Sequence, residues 1–222
     1  DGDLDLVCGN VGQAATLFLN LGGTFGAAPV WQGPAEETWS VALGDVDGDG
    51  DLDLARGNLN QSATVYANEG GTFGAAPAWI GPVENTVSLV WGDVDGDGDL
   101  DLVRGNANQG ATLYANDGGT LGSGPAWMGP SENTRCVALG DVDGDGDLDL
   151  LRGSGNSGTT LFENTSGGFG PHPLWASTPM RTFSLALGDV DGDGDLDLVC
   201  GTVDRGPTLH VNEGGAFAAD PS

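Results

Sequence analysis

The chain has 222 residues, 38% of them hydrophobic, with 33 acidic residues set against six Arg and no Lys and a formal charge of −27. That apolar content excludes an acidic disordered tail, and the charge excludes nucleic acid and anionic lipid as partners. No run approaches 18 apolar residues, so no membrane insertion is expected, and 41 Gly and 11 Pro would break most candidate helices.

The chain opens on Asp1-Gly-Asp-Leu-Asp5, the back half of a nine-residue pattern that is complete at Asp45–Asp53, Asp93–Asp101, Asp141–Asp149 and Asp189–Asp197. The spacing is 48 residues, a period of the kind that marks solenoids and propellers. An opening without Met, inside a motif, suggests a processed or partial chain.

Within one period the residues predict four short strands. Ser40-Val-Ala-Leu-Gly44 alternates apolar and small residues. The acidic loop follows as a hairpin connection. Leu52–Arg56 is the second strand, with Leu52 and Leu54 on one face, and Ala63–Ala67 is the third. Asn68-Glu-Gly-Gly71 reads as a turn. A weaker fourth strand starts at Thr72-Phe73-Gly74 and runs on towards Trp79; the proline between makes it the outer edge. Gly81-Pro82 to Thr86 then leads to the next copy. Four antiparallel strands in about 40 to 50 residues is the signature of a propeller blade. The expected fold is therefore all-β, a single β-propeller domain over 1–222, with repeats at about 1–39, 40–87, 88–135, 136–183 and 184–222. Five periods of 48 would need 240 residues, 18 more than the chain holds. About five blades are expected, the first incomplete. The ring closes with a gap, or the chain is an arc of a larger ring, or a neighbouring chain donates the missing strand.

The acidic loop carries the chemistry. Carboxylates at alternate positions would repel each other along a strand, and burying them would cost several kcal/mol per ion. They are tolerable if the backbone curls them around a hard cation. Oxygen ligands at positions 1, 3 and 5, Gly at 6 and a carbonyl at 7 open an EF-hand loop. Here these are Asp45, Asp47, Asp49, Gly50 and the carbonyl of Asp51, with Asp53 standing in for the distal acid. The equivalent sets are Asp93, Asp95, Asp97, Asp99 and Asp101; Asp141, Asp143, Asp145, Asp147 and Asp149; and Asp189, Asp191, Asp193, Asp195 and Asp197. A solvated Asp-Gly turn would explain one copy; four identical copies point to Ca²⁺. The partial loop of Asp1, Asp3 and Asp5 should bind weakly unless completed from outside.

Other repeated positions are less specific. Trp31, Trp79, Trp127 and Trp175 recur once per period and are candidates for stacking on sugar rings, or for packing between an outer strand and the neighbouring blade. Trp39 and Trp91 read as core residues. Arg56, Arg104 and Arg152 could form a positive ring, pair with loop carboxylates or bind an anion. Asn20, Asn68, Asn116, Asn164 and Asn212 share a turn position, and Asn60 and Asn164 match the glycosylation pattern. Cys8 and Cys200 occupy one repeat position and would bridge if the chain ends met; otherwise they and Cys136 are small core residues. His172 and His210 fall at unrelated positions, and no nucleophile elbow or P-loop is present, so no enzyme is expected.

The loop, the following Gly-Asn, the aromatic-x-Asn turn and Phe25-Gly-Ala-Ala-Pro29 together resemble the FG-GAP/VCBS repeat over essentially the whole chain. The resemblance implies blades of a calcium-stabilised propeller, with the metal loop joining the first and second strands, as in integrin α-subunit heads and some fungal lectins. It implies a secreted or cell-surface binding or adhesion module for a glycan or protein ligand. Two alternatives stay open: a fibre subunit that self-associates through its incomplete blade, and the non-catalytic propeller part of a secreted polysaccharide-active enzyme.

Overall fold

The computed structural model describes residues 2–203 and 205–218, and among these there is no helix. The strands run, in order, β1 (Leu6–Cys8), β2 (Val11–Phe18), β3 (Trp31–Gly44), β4 (Asp53–Asn58), β5 (Gln61–Tyr66), β6 (Trp79–Glu84), β7 (Thr86–Gly92), β8 (Asp101–Asn106), β9 (Thr112–Tyr114), β10 (Asn116–Asp117), β11 (Thr120–Leu121), β12 (Trp127–Met128), β13 (Thr134–Gly140), β14 (Asp149–Ser154), β15 (Gly158–Phe162), β16 (Trp175–Ala176), β17 (Thr182–Gly188), β18 (Asp197–Thr202) and β19 (Thr208–His210). All pairings are antiparallel, and between chain neighbours except that β12 pairs with β9 across the small β10–β11 hairpin. β7–β8–β9–β12 and β13–β14–β15–β16 are four-stranded units, and β17–β18–β19 is three-stranded. The first two units share β3, whose start pairs with β2 and whose end pairs with β4.

The strand boundaries follow from the side chains. Each first strand begins two residues earlier than its alternating pattern suggests, at Thr38, Thr86, Thr134 and Thr182. A register shift follows each of these threonines. All four are buried, and Thr38 and Thr86 donate their hydroxyls to Asn58 and Asn106 at 2.8 and 2.9 Å. The outer strand lies elsewhere than expected. Phe73 makes only an isolated bridge to Asn68, and the edge strand is β6, which contains the Gly81-Pro82 segment read as a connection. Proline is tolerated there because an outermost strand has no neighbour on one side. In the third and fourth units this strand shrinks to Trp127–Met128 and Trp175–Ala176.

The core is not inside any one sheet. It is divided among four interfaces, each built from the facing surfaces of consecutive units. Ala15, Leu17 and Trp31 meet Leu54, Tyr66 and Phe73. Ala55, Val65 and Trp79 meet Leu102, Tyr114 and Leu121. Val103, Leu113 and Trp127 meet Leu150, Phe162 and Phe169. Leu151, Leu161 and Trp175 meet Leu198, Cys200 and Phe217. This explains why the second strands carry adjacent apolar residues: Leu54 faces one neighbour and Ala55 the other, and β4, β8 and β14 are buried throughout. Trp39, read as a core residue, is instead 53% exposed on β3.

Three of the interfaces enclose a buried cation. Arg56 and Arg104 are fully buried and pair with Glu36 and Glu84; Arg152 pairs with Glu132 at 2.8 Å. The guanidinium carbons lie 5.4, 4.8 and 5.1 Å from the ring centres of Tyr66, Tyr114 and Phe162. The expected pairing with loop carboxylates is therefore corrected. The partner is a Glu at the outer edge, and none of these three guanidiniums is open to an external anion. Gly33 and Gly81 make room, since a Cβ on either would stand 2.5 Å from Arg56 Nη1 or Arg104 Nη1. In the last unit the same two positions hold Cys200 and Met180, both buried. The three cysteines are free. Instead of bridging to Cys8, Cys200 lies 3.5 Å from the Thr159 hydroxyl in the fourth interface, and burial pushes the Cys136 thiol up to about 12.

Removing one member of a buried pair strands the other charge, at about 3 kcal/mol, whereas an apolar pair of similar volume is often neutral. Glu132→Met alone, which strands the buried Arg152, should therefore lower unfolding stability in urea by about 3 kcal/mol. Adding Arg152→Cys, which copies the Cys200/Met180 pair, should restore more than half of that loss. A double variant no more stable than the single one would refute the equivalence.

Candidate metal centre

Each acidic loop closes the hairpin between the first and second strands of a unit. Its glycines are required by the turn: Gly48 and Gly50 have φ of 76° and 95°, where a Cβ is strained. Within the loop the carboxylates accept backbone amides. Asp45 takes Gly48 N–H at 2.9 Å on one oxygen and Gly50 N–H at 3.0 Å on the other. Asp47 accepts Asp49 N–H at 3.2 Å, and Asp49 accepts Asp51 N–H at 2.8 Å. Asp53 holds the loop to its unit, accepting Val46 N–H at 2.9 Å and Asn68 N–H at 2.8 Å. The pattern repeats with Val94 on Asp101, Val142 on Asp149 and Val190 on Asp197, at 2.8 to 3.0 Å.

The result is four clusters of three carboxylates, each with ligand atoms within 4.8 Å of one another: Asp45, Asp47 and Asp53; Asp93, Asp95 and Asp101; Asp141, Asp143 and Asp149; and Asp189, Asp191 and Asp197. Asp49, Asp97, Asp145 and Asp193 are outside these triads. So are Asp51, Asp99, Asp147 and Asp195. The side chains of Asp51, Asp99 and Asp195 turn away to accept Gly70, Gly118 and Gly214 N–H at 2.6 to 2.8 Å, leaving the main-chain carbonyl as the group available for a cation. Of the partial loop, Asp1 lies outside the described residues. Asp3 and Asp5 accept Gly22 and Asn20 N–H at 3.0 and 2.8 Å, the same bonds that Asp51 and Asp53 make.

The electrostatics favour a cation in three of the four clusters, whereas at Asp197 the amides of Asn212 and Val190 hold the carboxyl below its ordinary value. Burial, followed by loop carboxylate neighbours, pushes the carboxyls of Asp53, Asp101 and Asp149 up, Asp149 to about 6, against amide bonds that pull the other way. Their charged forms are under-compensated by the protein alone. An all-oxygen donor set of carboxylates and a carbonyl, on a glycine-hinged loop, suits Ca²⁺ better than Mg²⁺, which keeps its waters.

One feature of the loop was not legible in the sequence. Asn116 Nδ2 reaches back 70 residues to donate to Val46 O at 2.8 Å while also bonding Leu100 O at 3.2 Å in its own unit. Asn164 and Asn212 treat Val94 and Val142 in the same way, at 2.7 and 2.8 Å. Gly119 and Gly215 lie so close to the preceding unit's loop that an added Cβ would stand 2.9 Å from the Cβ of Asp47 or Asp143. The repeated Asn reads as a local turn residue; its second bond depends on stacking. Asn164 is fully buried by these contacts, so of the two glycosylation patterns only Asn60 is on the surface.

The four tryptophans pack against the rings of the following unit. Trp31 and Trp127 each meet two rings of the next unit edge-on at 5.2 to 5.3 Å, and Trp31, Trp79 and Trp127 donate their indole N–H to Gly74, Gly122 and Gly170 O at 3.1 to 3.2 Å. Trp79 and Trp175 meet Tyr114 and His210 in the same way.

The FG-GAP-like repeat matches the chain four times, over residues 1–56, 45–104, 93–152 and 141–200. The chain belongs to this repeat family. No curated protein matches it. Among solved structures it is similar to an Agrocybe aegerita lectin that recognises non-reducing terminal N-acetylglucosamine, with 20% identity and a TM-score of 0.57, covering 99% of this chain and 65% of that one. It is also similar to BBS1N, solved in complex with ARL6DN, with 15% identity and a TM-score of 0.54, covering 84% and 56%. The chain thus spans less than two thirds of the length of either.

The dual bonding of Asn116 sets a contrast within the repeats. Asn116→Ala leaves two carbonyls without their donor and should cost about 2 kcal/mol. Asn68, whose Nδ2 donates to Leu52 O and whose Oδ1 accepts Gly71 N–H, both at exposed sites within its own unit, should cost less than about 1 kcal/mol when changed to Ala. Urea unfolding of the two variants checks this, and equal losses would remove the inter-unit role.

Proposed function

We propose that the protein is an extracellular, calcium-stabilised β-propeller module of a single domain, with four-stranded blades and an incomplete first blade, that binds a glycan or protein ligand without catalysis. The observation that carries this reading is the fourfold carboxylate triad, held at each hairpin by the same amide bonds. Membership of the FG-GAP-like repeat family supports it. The similarity to a glycan-recognising lectin and to BBS1N, a protein with a protein partner, supports a binding role. The acidic surface suits a calcium-rich surrounding, and the loops use their carboxylates for structure, leaving no acid–base pair set apart for chemistry.

In each site the three carboxylates of the triad and the carbonyl of the seventh loop residue would hold the ion. Bound calcium supplies the positive charge that the clustered acids lack; the protein's own amides position the oxygens. Extracellular modules bind calcium at roughly 10⁻⁴ to 10⁻³ M. At about 1 mM free calcium the tighter limit gives about 1.4 kcal/mol per site, and four sites give about 6 kcal/mol, comparable with a domain's whole stability of roughly 5 to 15 kcal/mol.

Calorimetric titration should therefore count four ions per chain, and Asp149→Ala should count three. Excess EGTA should lower the melting temperature by well over about 10 °C. Coincident melting curves with and without calcium would overturn the metal reading. A glycan array and a cell-surface binding assay on the calcium-loaded chain test the ligand class, and the absence of any retained ligand in both would count against a binding role.

A further inference from the structure

The four interfaces between units are not filled alike, and the second is short of volume. Where the other three carry Phe73, Phe169 and Phe217, it carries Leu121. The facing unit does not make up the difference. The first interface has Leu19 and Val30 at two positions where the fourth has Glu163 and Leu174; the second has Ala67 and Ala78. The third also has two alanines there, Ala115 and Ala126, but keeps Phe169. The ring contacts show the same gap. Trp31, Trp127 and Trp175 each meet two rings of the following unit. Trp79 meets Tyr114 alone among the described residues. A half-enclosed cavity of about 160 Å³ results, with Val65, Ala67, Ala78, Trp79 and Leu121 in its wall. Val65 and Leu121 are buried, whereas Ala78, Thr120 and Asp47 are exposed at its mouth. Four strands stand on either side, β3 to β6 and β7–β8–β9–β12, so the gap comes from the side chains at the interface itself.

The geometry points to one occupant: a phenylalanine side chain of a protein ligand, flanked on that ligand by Lys or Arg. This rests on the protein-ligand reading above. The shape is supplied by the chain itself, because three counterpart interfaces seat a Phe ring against the same Trp. An apolar cavity of about 150 Å³ stays dry and takes up benzene, so the size suits a phenyl ring. A sugar ring fits this wall poorly, since its hydroxyls would face aliphatic carbon without partners. The charge selects the flanking residues. Asp47 and Asp53 border the cavity. Their loop carries five Asp, and one Ca²⁺ against these five charges leaves −3. A basic residue next to the ring is therefore drawn to the mouth with or without the ion, and an acidic one is repelled.

The test is a titration of the nitrogen-15-labelled, calcium-loaded chain with the peptide acetyl-Lys-Phe-Lys-amide, followed at the assigned indole N–H signal of Trp79. A saturable shift is expected. The same peptide with Ala in place of Phe should bind about tenfold more weakly or worse. Leu121→Phe, which supplies the missing ring from within, should weaken binding of the Phe peptide by a similar factor. Ala78→Leu, which copies Leu174 at the exposed mouth, should do the same without altering the buried wall. Equal binding of the two peptides, or undiminished binding by both variants, would overturn the inference, as would a Trp79 shift produced by methyl glycosides and not by the Phe peptide. If the chain holds a glycan or cell-surface ligand equally well after Leu121→Phe and the Phe peptide does not bind, the cavity inference falls alone. If it holds neither the peptide nor any other ligand, the binding role falls with it.

Discussion

Stacking of one sheet on the next is the interaction on which the rest depends. Each unit is apolar on both faces, and neither face can be covered from within the unit. Leu102 at the third unit belongs to the second interface and Val103 to the third, though they are adjacent in the chain. A repeat of this kind cannot bury its surface alone, so stability accumulates between neighbours. The cost appears where a neighbour is missing. Phe25 is 49% exposed although Phe73, Phe169 and Phe217 are each about 5% exposed, and Val190 is 58% exposed although Val46, Val94 and Val142 are buried.

The acidic loops are part of that stacking. The carbonyl of Val46 accepts the side-chain amide of Asn116 in the next unit, and the Val46 side chain is buried. A loop that uncurled by its own charge repulsion would withdraw this carbonyl and the surface on which Gly119 rests. Cation binding, as proposed, would thus be linked to the association of units as well as to the shape of the hairpin. Such linkage follows whenever a ligand binds only the ordered form. The most exposed triad, at Asp189, Asp191 and Asp197, lies where no following unit covers the loop.

The period, the hairpins and the acidic loops were legible because each is a local pattern: alternation, glycine at the sharp turn, acids at every second position. The positions that misled are those whose meaning is set by a distant partner. Pro82 suggested the end of a strand, and it sits in one, because an edge position excuses its missing N–H. The repeated Arg suggested an exposed charge, and each is buried, because Glu and an aromatic ring sit where only stacking brings them. The repeated Trp had two readings in the sequence, and the rings it packs against belong to the following unit. Leu52 and Leu54 do alternate onto one side, but only Leu54 lies within a strand, and Leu52 depends on a glycine that the first unit does not have.

The repeats also serve as substitutions made by the chain on itself. At the apolar positions the copies vary freely: Ala55, Val103, Leu151 and Val199 occupy one site, and Leu121 stands where the others have Phe. An apolar interface asks only for compatible volume. Even the buried ion pair is exchanged for Cys200 and Met180, as expected of a charge pair whose desolvation offsets its attraction. The nine residues from Asp45 to Asp53 show no such freedom and are identical in all four complete copies. Turn geometry alone fixes the glycines, and Asn would serve as well as Asp at several of the other positions. Negatively charged oxygen at each of the same places, in a protein already carrying a charge of −27, is what the proposed calcium site would require.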